Sequence, residues 1–160
     1  MIAKAQILNV GEPEYPFFFK YLNARIRSNK AVVLLAVELY PHLLQDCLLR
    51  DDPEVVMLAV QKDPFTLQFA DEHLKNNEAI VLAAVIKDGF AIKCAGEVMK
   101  KNKRIVLAAI DKYPTLLQFA DPSLQQEIVA TETFQSRWSM FAALMRQRRL
   151  PVPAFQFLNT

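Results

Sequence analysis

Two histidines, two cysteines and a few clustered charges are the side chains here whose types best suit chemistry. His42 follows a proline turn and His73 lies in a later turn; neither has a cysteine or carboxylate at the spacing of a metal site, so both read as exposed turn histidines. Cys47 and Cys94 occupy apolar positions without a CxxC partner. They read as buried free thiols of a reducing compartment, with a single bridge left open. Asp51-Asp52 and Asp71-Glu72 are paired carboxylates, which in acid–base catalysis would face each other across a cleft. They stand where helices begin, and capping accounts for them. Gly11, Gly89 and Gly96 cannot build a phosphate-cradling loop, and neither a nucleophile elbow nor a zinc motif is present. No catalytic, cofactor-binding or metal-binding residue is assigned.

Lys100, Lys101, Lys103 and Arg104 form a basic cluster. It reads either as a solvated loop between repeats or as an anion site beside the capped start of a helix. The rest of the charge is evenly mixed. Up to Glu127 there are fifteen Lys and Arg against sixteen Asp and Glu; beyond it, Arg137, Arg146, Arg148 and Arg149 face Glu132 alone. One patch without a basic stripe argues against nucleic acid.

The elements that would carry these residues come from a repeat of about 25 residues. Its apolar blocks begin at Val32, Val55, Ile80 and Ile105, in steps of 23, 25 and 25. Self-similarity at such a period marks an array whose units bury their faces on one another. Each unit opens on a strong N-cap residue, Asn29, Asp52, Asn77 or Asn102. The apolar block that follows is too continuous for a simple amphipathic stripe and reads as a helix covered on several sides. A break recurs at Tyr40-Pro41, Asp63-Pro64, Asp88-Gly89 and Tyr113-Pro114, ending the first helix and opening a second. Short turns close three units, at Asp71–Leu74, Gly96–Met99 and Asp121–Leu124. The column Ala36, Ala59, Ala84 and Ala109 predicts close helix approach.

Both ends are worn. Tyr15-Pro16 repeats the break and Phe17 to Ile26 reads as a second helix, but Asn9, Gly11 and Pro13 spoil the first. Residues 1–28 are therefore a degenerate half-repeat, 29–126 hold four repeats, 127–149 a capping helix and 150–160 an extended tail. In the cap, Thr133 to Arg149 is amphipathic, with Phe134, Trp138, Phe141, Leu144 and Met145 on one face. The expected fold is an all-α solenoid of helix pairs in a single domain of 160 residues, 52% hydrophobic and 22% charged.

The units resemble a family of bacterial helical repeats, domain of unknown function four-one-one-six. The resemblance rests on Asn77 to Val85, then Gly89, Ala91-Ile92, Ala95 and Met99. The unit from Asn102 to Leu124 is similar, with Pro114 where the family often has glycine; the unit from Asp52 follows, and that from Asn29 departs by two residues. These are packing residues, so the resemblance implies fold and is nearly silent on activity. Because the family is common in bacteria living inside eukaryotic cells, injected effectors included, it also implies a role inside a host.

The functional expectation is a non-enzymatic protein–protein interaction module, as a bacterial effector or an adaptor regulating one. Contact positions are sought where units differ: His42, Phe65, Phe90 and Thr115 after the break, and Glu38, Gln61, Ile86 and Asp111 at the end of the first helix. Phe65 and Phe90 are weighed more heavily as core. The alternatives are an enzyme with an active site invisible in sequence, and peripheral membrane or anion binding through the basic C-terminal helix or the Lys100–Arg104 cluster. No run reaches the length of a membrane span, and residues 1–10 make a poor signal peptide. The chain is expected to be soluble and cytoplasmic, or translocated by another route.

Overall fold

The computed structural model describes residues 19–152. Every regular element among them is helical. In order these are α1 (Ala24–Arg27), α2 (Lys30–Leu39), the 3₁₀ helix η1 (Pro41–Asp46), α3 (Pro53–Lys62), η2 (Pro64–Phe69), α4 (Glu72–Lys75), α5 (Glu78–Lys87), η3 (Gly89–Cys94), α6 (Glu97–Lys100), α7 (Lys103–Ile110), η4 (Pro114–Phe119), α8 (Pro122–Val129) and α9 (Glu132–Gln147). A complete unit is thus a long α-helix, a 3₁₀ helix and a shorter α-helix.

The caps set the start of each long helix. The Asn29 side chain accepts from Val32 N at 3.2 Å, and Asn77 accepts from Ala79 N at 3.0 Å and Ile80 N at 3.3 Å. Asp52 and Asn102 do the same for α3 and α7. At the break one residue serves two helices. The backbone N–H groups of Asp63 and Asp88 close the long helices onto Ala59 O and Ala84 O, while their carboxylates accept from Phe65 N and Phe90 N, each at 2.9 Å.

Three expectations need correction. The second helix of each unit is 3₁₀, six residues long in all four units, where such runs usually stop after three or four. At about 2.0 Å per residue it spans roughly 12 Å, against roughly 15 Å for ten α-helical residues, so the two layers stay nearly matched in length. The closing turns are helices in their own right, and the last runs on to Val129. At the N-terminal end the expected helix Phe17–Ile26 is broken: Asn23 caps α1 by accepting from Ile26 N at 3.0 Å. Tyr15-Pro16, the earlier worn segment and the tail from Pro153 lie outside the described residues.

Successive units are held in register by a repeated backbone bond. Leu48 N donates to Arg27 O at 3.1 Å, Asp71 N to Arg50 O at 3.0 Å, Gly96 N to Lys75 O at 2.9 Å and Asp121 N to Lys100 O at 3.0 Å. Long helix packs on long helix and 3₁₀ on 3₁₀, the substantial contacts running between neighbouring units. Between the layers lies one continuous core, including Val33, Val37, Val55, Val56, Val60, Leu67, Val81, Ile92, Ile105, Leu116 and Leu117. Ala59, Ala84 and Ala109 are fully buried and Ala36 nearly so. At the C-terminal end α9 lays Phe134, Trp138 and Ala142 over the last unit, with Phe141 packed beside them. Leu144, expected on that face, is exposed.

Candidate interaction surface

The long helices are covered on several sides, as their continuous apolar sequence suggests, and one side of each is left partly open. At helical spacing each has two residues on its less buried side, most of them packed in part against the core: Leu34 and Leu35 from α2, Met57 and Leu58 from α3, Leu82 and Ala83 from α5, Leu107 and Ala108 from α7. Of these eight, Leu107 is exposed and the others are half-buried. Ile86 at the end of α5 is 70% exposed. Parallel packing of the four helices lines these residues up as an apolar band across one face. Between α2 and α3 the band deepens into a groove of about 380 Å³ lined by Leu34, Leu35, Met57 and Leu58, with Glu38, Glu54 and Gln61 among its walls.

Of the positions singled out in the sequence, Glu38, Gln61, Ile86 and Asp111 all lie exposed at the C-terminal ends of the long helices, along one edge of this band. A basic residue of a following helix reaches toward several of them. Lys62 Nζ stands 4.0 Å from Glu38, and Lys87 Nζ donates to the carbonyls of Gln61 and Lys62, the latter at 2.7 Å. Arg137 of α9 donates to the Asp111 carboxylate at 2.7 Å and to its carbonyl. These cations supply charge at the negative ends of the helices and donors to the last carbonyls.

The other column behaves differently. His42 and Phe65 are exposed on the 3₁₀ layer, while Phe90 and Thr115 are half-buried. Phe65, weighed as core, stands at 37% exposure. Phe90 packs against Tyr113 at a centroid distance of 5.2 Å, and Lys93 Nζ lies over the rings of Phe90 and Phe119 at 5.2 and 4.9 Å. The 3₁₀ layer is therefore a surface of partly shielded rings.

Most residues considered for chemistry are accounted for locally, although Asp71 stands at the N-cap of α4 without the side-chain capping hydrogen bond expected of it. His42 does meet a carboxylate, but one from the next unit: its Nε2 lies 3.1 Å from Asp63 Oδ2, and its ring packs edge-on to Phe69 at 6.2 Å. His73 is exposed on α4. Among the described residues no three His, Cys, Asp or Glu side chains gather into a set that could hold a metal. Asp52 caps α3 and accepts from Lys30 at 2.8 Å. That hydrogen bond, with the two backbone donors, holds its carboxyl below the ordinary range and raises Lys30 in turn. Cys47 and Cys94 are free thiols, so no bridge joins them. Burial pushes the Cys47 thiol up to about 12, and raises Cys94, which is half-buried.

Each cation of the basic cluster has a carboxylate neighbour. Lys100 meets Glu97 at 2.7 Å, Lys101 meets Asp121 at 3.6 Å, Lys103 reaches forward to Glu127 and Arg104 back to Glu78 at 3.1 Å. Lys103 and Arg104 point to opposite neighbours, so the four do not converge on one point.

The outward pairs from Leu34-Leu35 to Leu107-Ala108 are what residue-by-residue reasoning passed over. The signal lay in the repeat itself: if units stack through two sides of each long helix, its remaining side must face outward along the whole array.

This geometry defines a tandem all-α protein whose helical units each pack on the next. A family model described as a domain of unknown function (DUF4116) matches residues 52–97 and again 80–125. Both matches fall in the segment where the resemblance was strongest. No curated protein and no solved structure matches it. Among the described residues no helix is long and apolar enough to cross a membrane.

Proposed function

We propose that the chain is a non-catalytic interaction module, a short solenoid that binds a protein partner across the outer face of its long helices. The observation that carries this is the outward band of Leu34, Met57, Leu82 and Leu107 with the groove between α2 and α3. Isolated exposed apolar residues are ordinary on a protein surface, whereas a contiguous band with polar residues at its rim marks a place of contact. Met57 suits such a surface, because an unbranched thioether side chain adapts to the shape pressed against it. Glu38 and Gln61 at the wall, with Ile86 and Asp111 further along the edge, supply the residues that differ between units. The companion proposal, a bacterial effector or effector-regulating adaptor acting in a host cell, rests on what the family resemblance implies.

The test is affinity capture from bacterial and host-cell lysates with the wild-type chain and a Met57→Glu/Leu82→Glu variant. Both side chains are half-buried, so circular dichroism of the variant must match wild type first. A stoichiometric protein retained by wild type and lost by the folded variant supports the proposal. A partner bound equally by both removes the long-helix face from it.

A further inference from the structure

Helix α9 has a second face, opposite the one that closes the core. Phe134, Trp138 and Ala142 point inward. At helical spacing the positions opposite Trp138 are Ser136, Met140, Ala143, Leu144 and Gln147, all exposed. Met140 is 75% exposed, Leu144 46%, and Leu150 just past the helix 48%. On the same helical projection Arg146 and Arg148 fall on either side of this strip, and Arg149 follows them. All three are exposed, and among the described residues none has a carboxylate within ion-pair distance. That sets them apart from Arg137, which holds Asp111, and from the four cations at residues 100–104, each with a carboxylate neighbour.

We infer that the outer face of α9 docks on an anionic lipid surface. A strip that sets Met140, Ala143 and Leu144 among the uncharged polar Ser136 and Gln147, flanked by arginines without a carboxylate partner among the described residues, places methyl and thioether groups at the acyl boundary and guanidinium groups among phosphates when it lies parallel to a surface. The surrounding charge gives the direction: the chain up to Glu127 is close to neutral, and beyond it four arginines oppose a single glutamate. The attraction is therefore concentrated at one end of the array and leaves the long-helix band free. Three arginines and two or three apolar side chains make a reversible, salt-sensitive contact, not permanent insertion.

The experiment is co-sedimentation of the full chain with vesicles of phosphatidylcholine alone and of phosphatidylcholine with phosphatidylglycerol, at low and raised salt. The expected result is binding to the anionic vesicles only, weakened by salt. Arg148→Glu/Arg149→Glu should lower that binding by about tenfold or more. Met140→Glu should lower it with the arginines intact, and Arg146→Lys/Arg148→Lys should keep most of it. Trp138, the single tryptophan of the chain, reports in each variant whether α9 is still docked. Absence of binding to anionic vesicles, equal binding to neutral ones, or undiminished binding by the folded charge-reversed variant each overturns the inference. Capture of a protein on this face without vesicle binding overturns it as well.

Discussion

Asn76 and Gly96, twenty residues apart in sequence, share one capping position. A Cβ built on Gly96 would lie 2.2 Å from Asn76 Oδ1, and that oxygen accepts from Val98 N at 3.3 Å in the first turn of α6. In the next unit Asp121 stands at the place of Gly96 and accepts from Ser123 N at 3.1 Å with its own carboxylate. One unit borrows its cap from its neighbour; the other supplies its own. Gly96→Ala should therefore push Asn76 away and cost about 1 kcal/mol, the usual worth of a cap. Gly96→Asp combined with Asn76→Ala should recover most of that loss. Urea unfolding of the three proteins checks both statements.

Ala84 is fully buried where α5 lies between α3 and α7. Ala84→Leu should overpack that contact and cost about 1–3 kcal/mol. The same change at half-buried Ala83, on the outward side, should cost far less. Thermal melts of the two variants give the comparison.

These caps and columns were legible because a repeat prints the same physical requirement several times. Asn29, Asp52, Asn77 and Asn102 could be read as caps, and Ala36, Ala59, Ala84 and Ala109 as a close-packed column, from type and register alone. The 3₁₀ character of η1–η4 was not legible. An adjacent apolar pair such as Leu43-Leu44 or Leu116-Leu117 suits either helix, and six residues are too few to show a period. The ion pairs between units escaped for another reason: Arg104 and Glu78, or Arg137 and Asp111, meet only once the array is folded. For the candidate surface, the edge positions Glu38, Gln61, Ile86 and Asp111 stood out by their variation. The apolar band beside them did not, because buried and outward residues alternate within one unbroken hydrophobic run.

Arg149 has φ 55°, the left-handed region that β-carbon crowding disfavours. It ends α9 by donating to Arg146 O at 3.0 Å, while Leu150 N donates to Met145 O at 2.9 Å, and Pro151 then prevents continuation. Arg149→Gly should stabilise the chain by about 1 kcal/mol, since glycine occupies this region freely. Chemical denaturation followed by Trp138 emission measures it where the helix docks.

Cys47 lies in the core with its thiol donating to Leu43 O at 3.1 Å, and burial moves it from 9.0 to about 12. Its folded form therefore binds the proton more tightly than the unfolded chain. The stability this contributes is present below about pH 9 and declines as pH rises toward 12. In the native protein Cys47 should resist alkylation, and half-buried Cys94 should react first. Mass spectrometry after a timed iodoacetamide pulse, native and denatured, distinguishes the two; faster labelling of Cys47 would contradict its place in the core.

The proposed seat of a protein partner is the outer face of the long helices. Photo-crosslinking residues placed singly at Met57, Leu82 and Leu107, with Gln68 and Gln118 on the 3₁₀ layer as controls, test it inside cells. The same discrete adduct is expected from the three long-helix positions and none from the two controls. An adduct from the controls alone, or none from any long-helix position while the chain is folded and abundant, would contradict it.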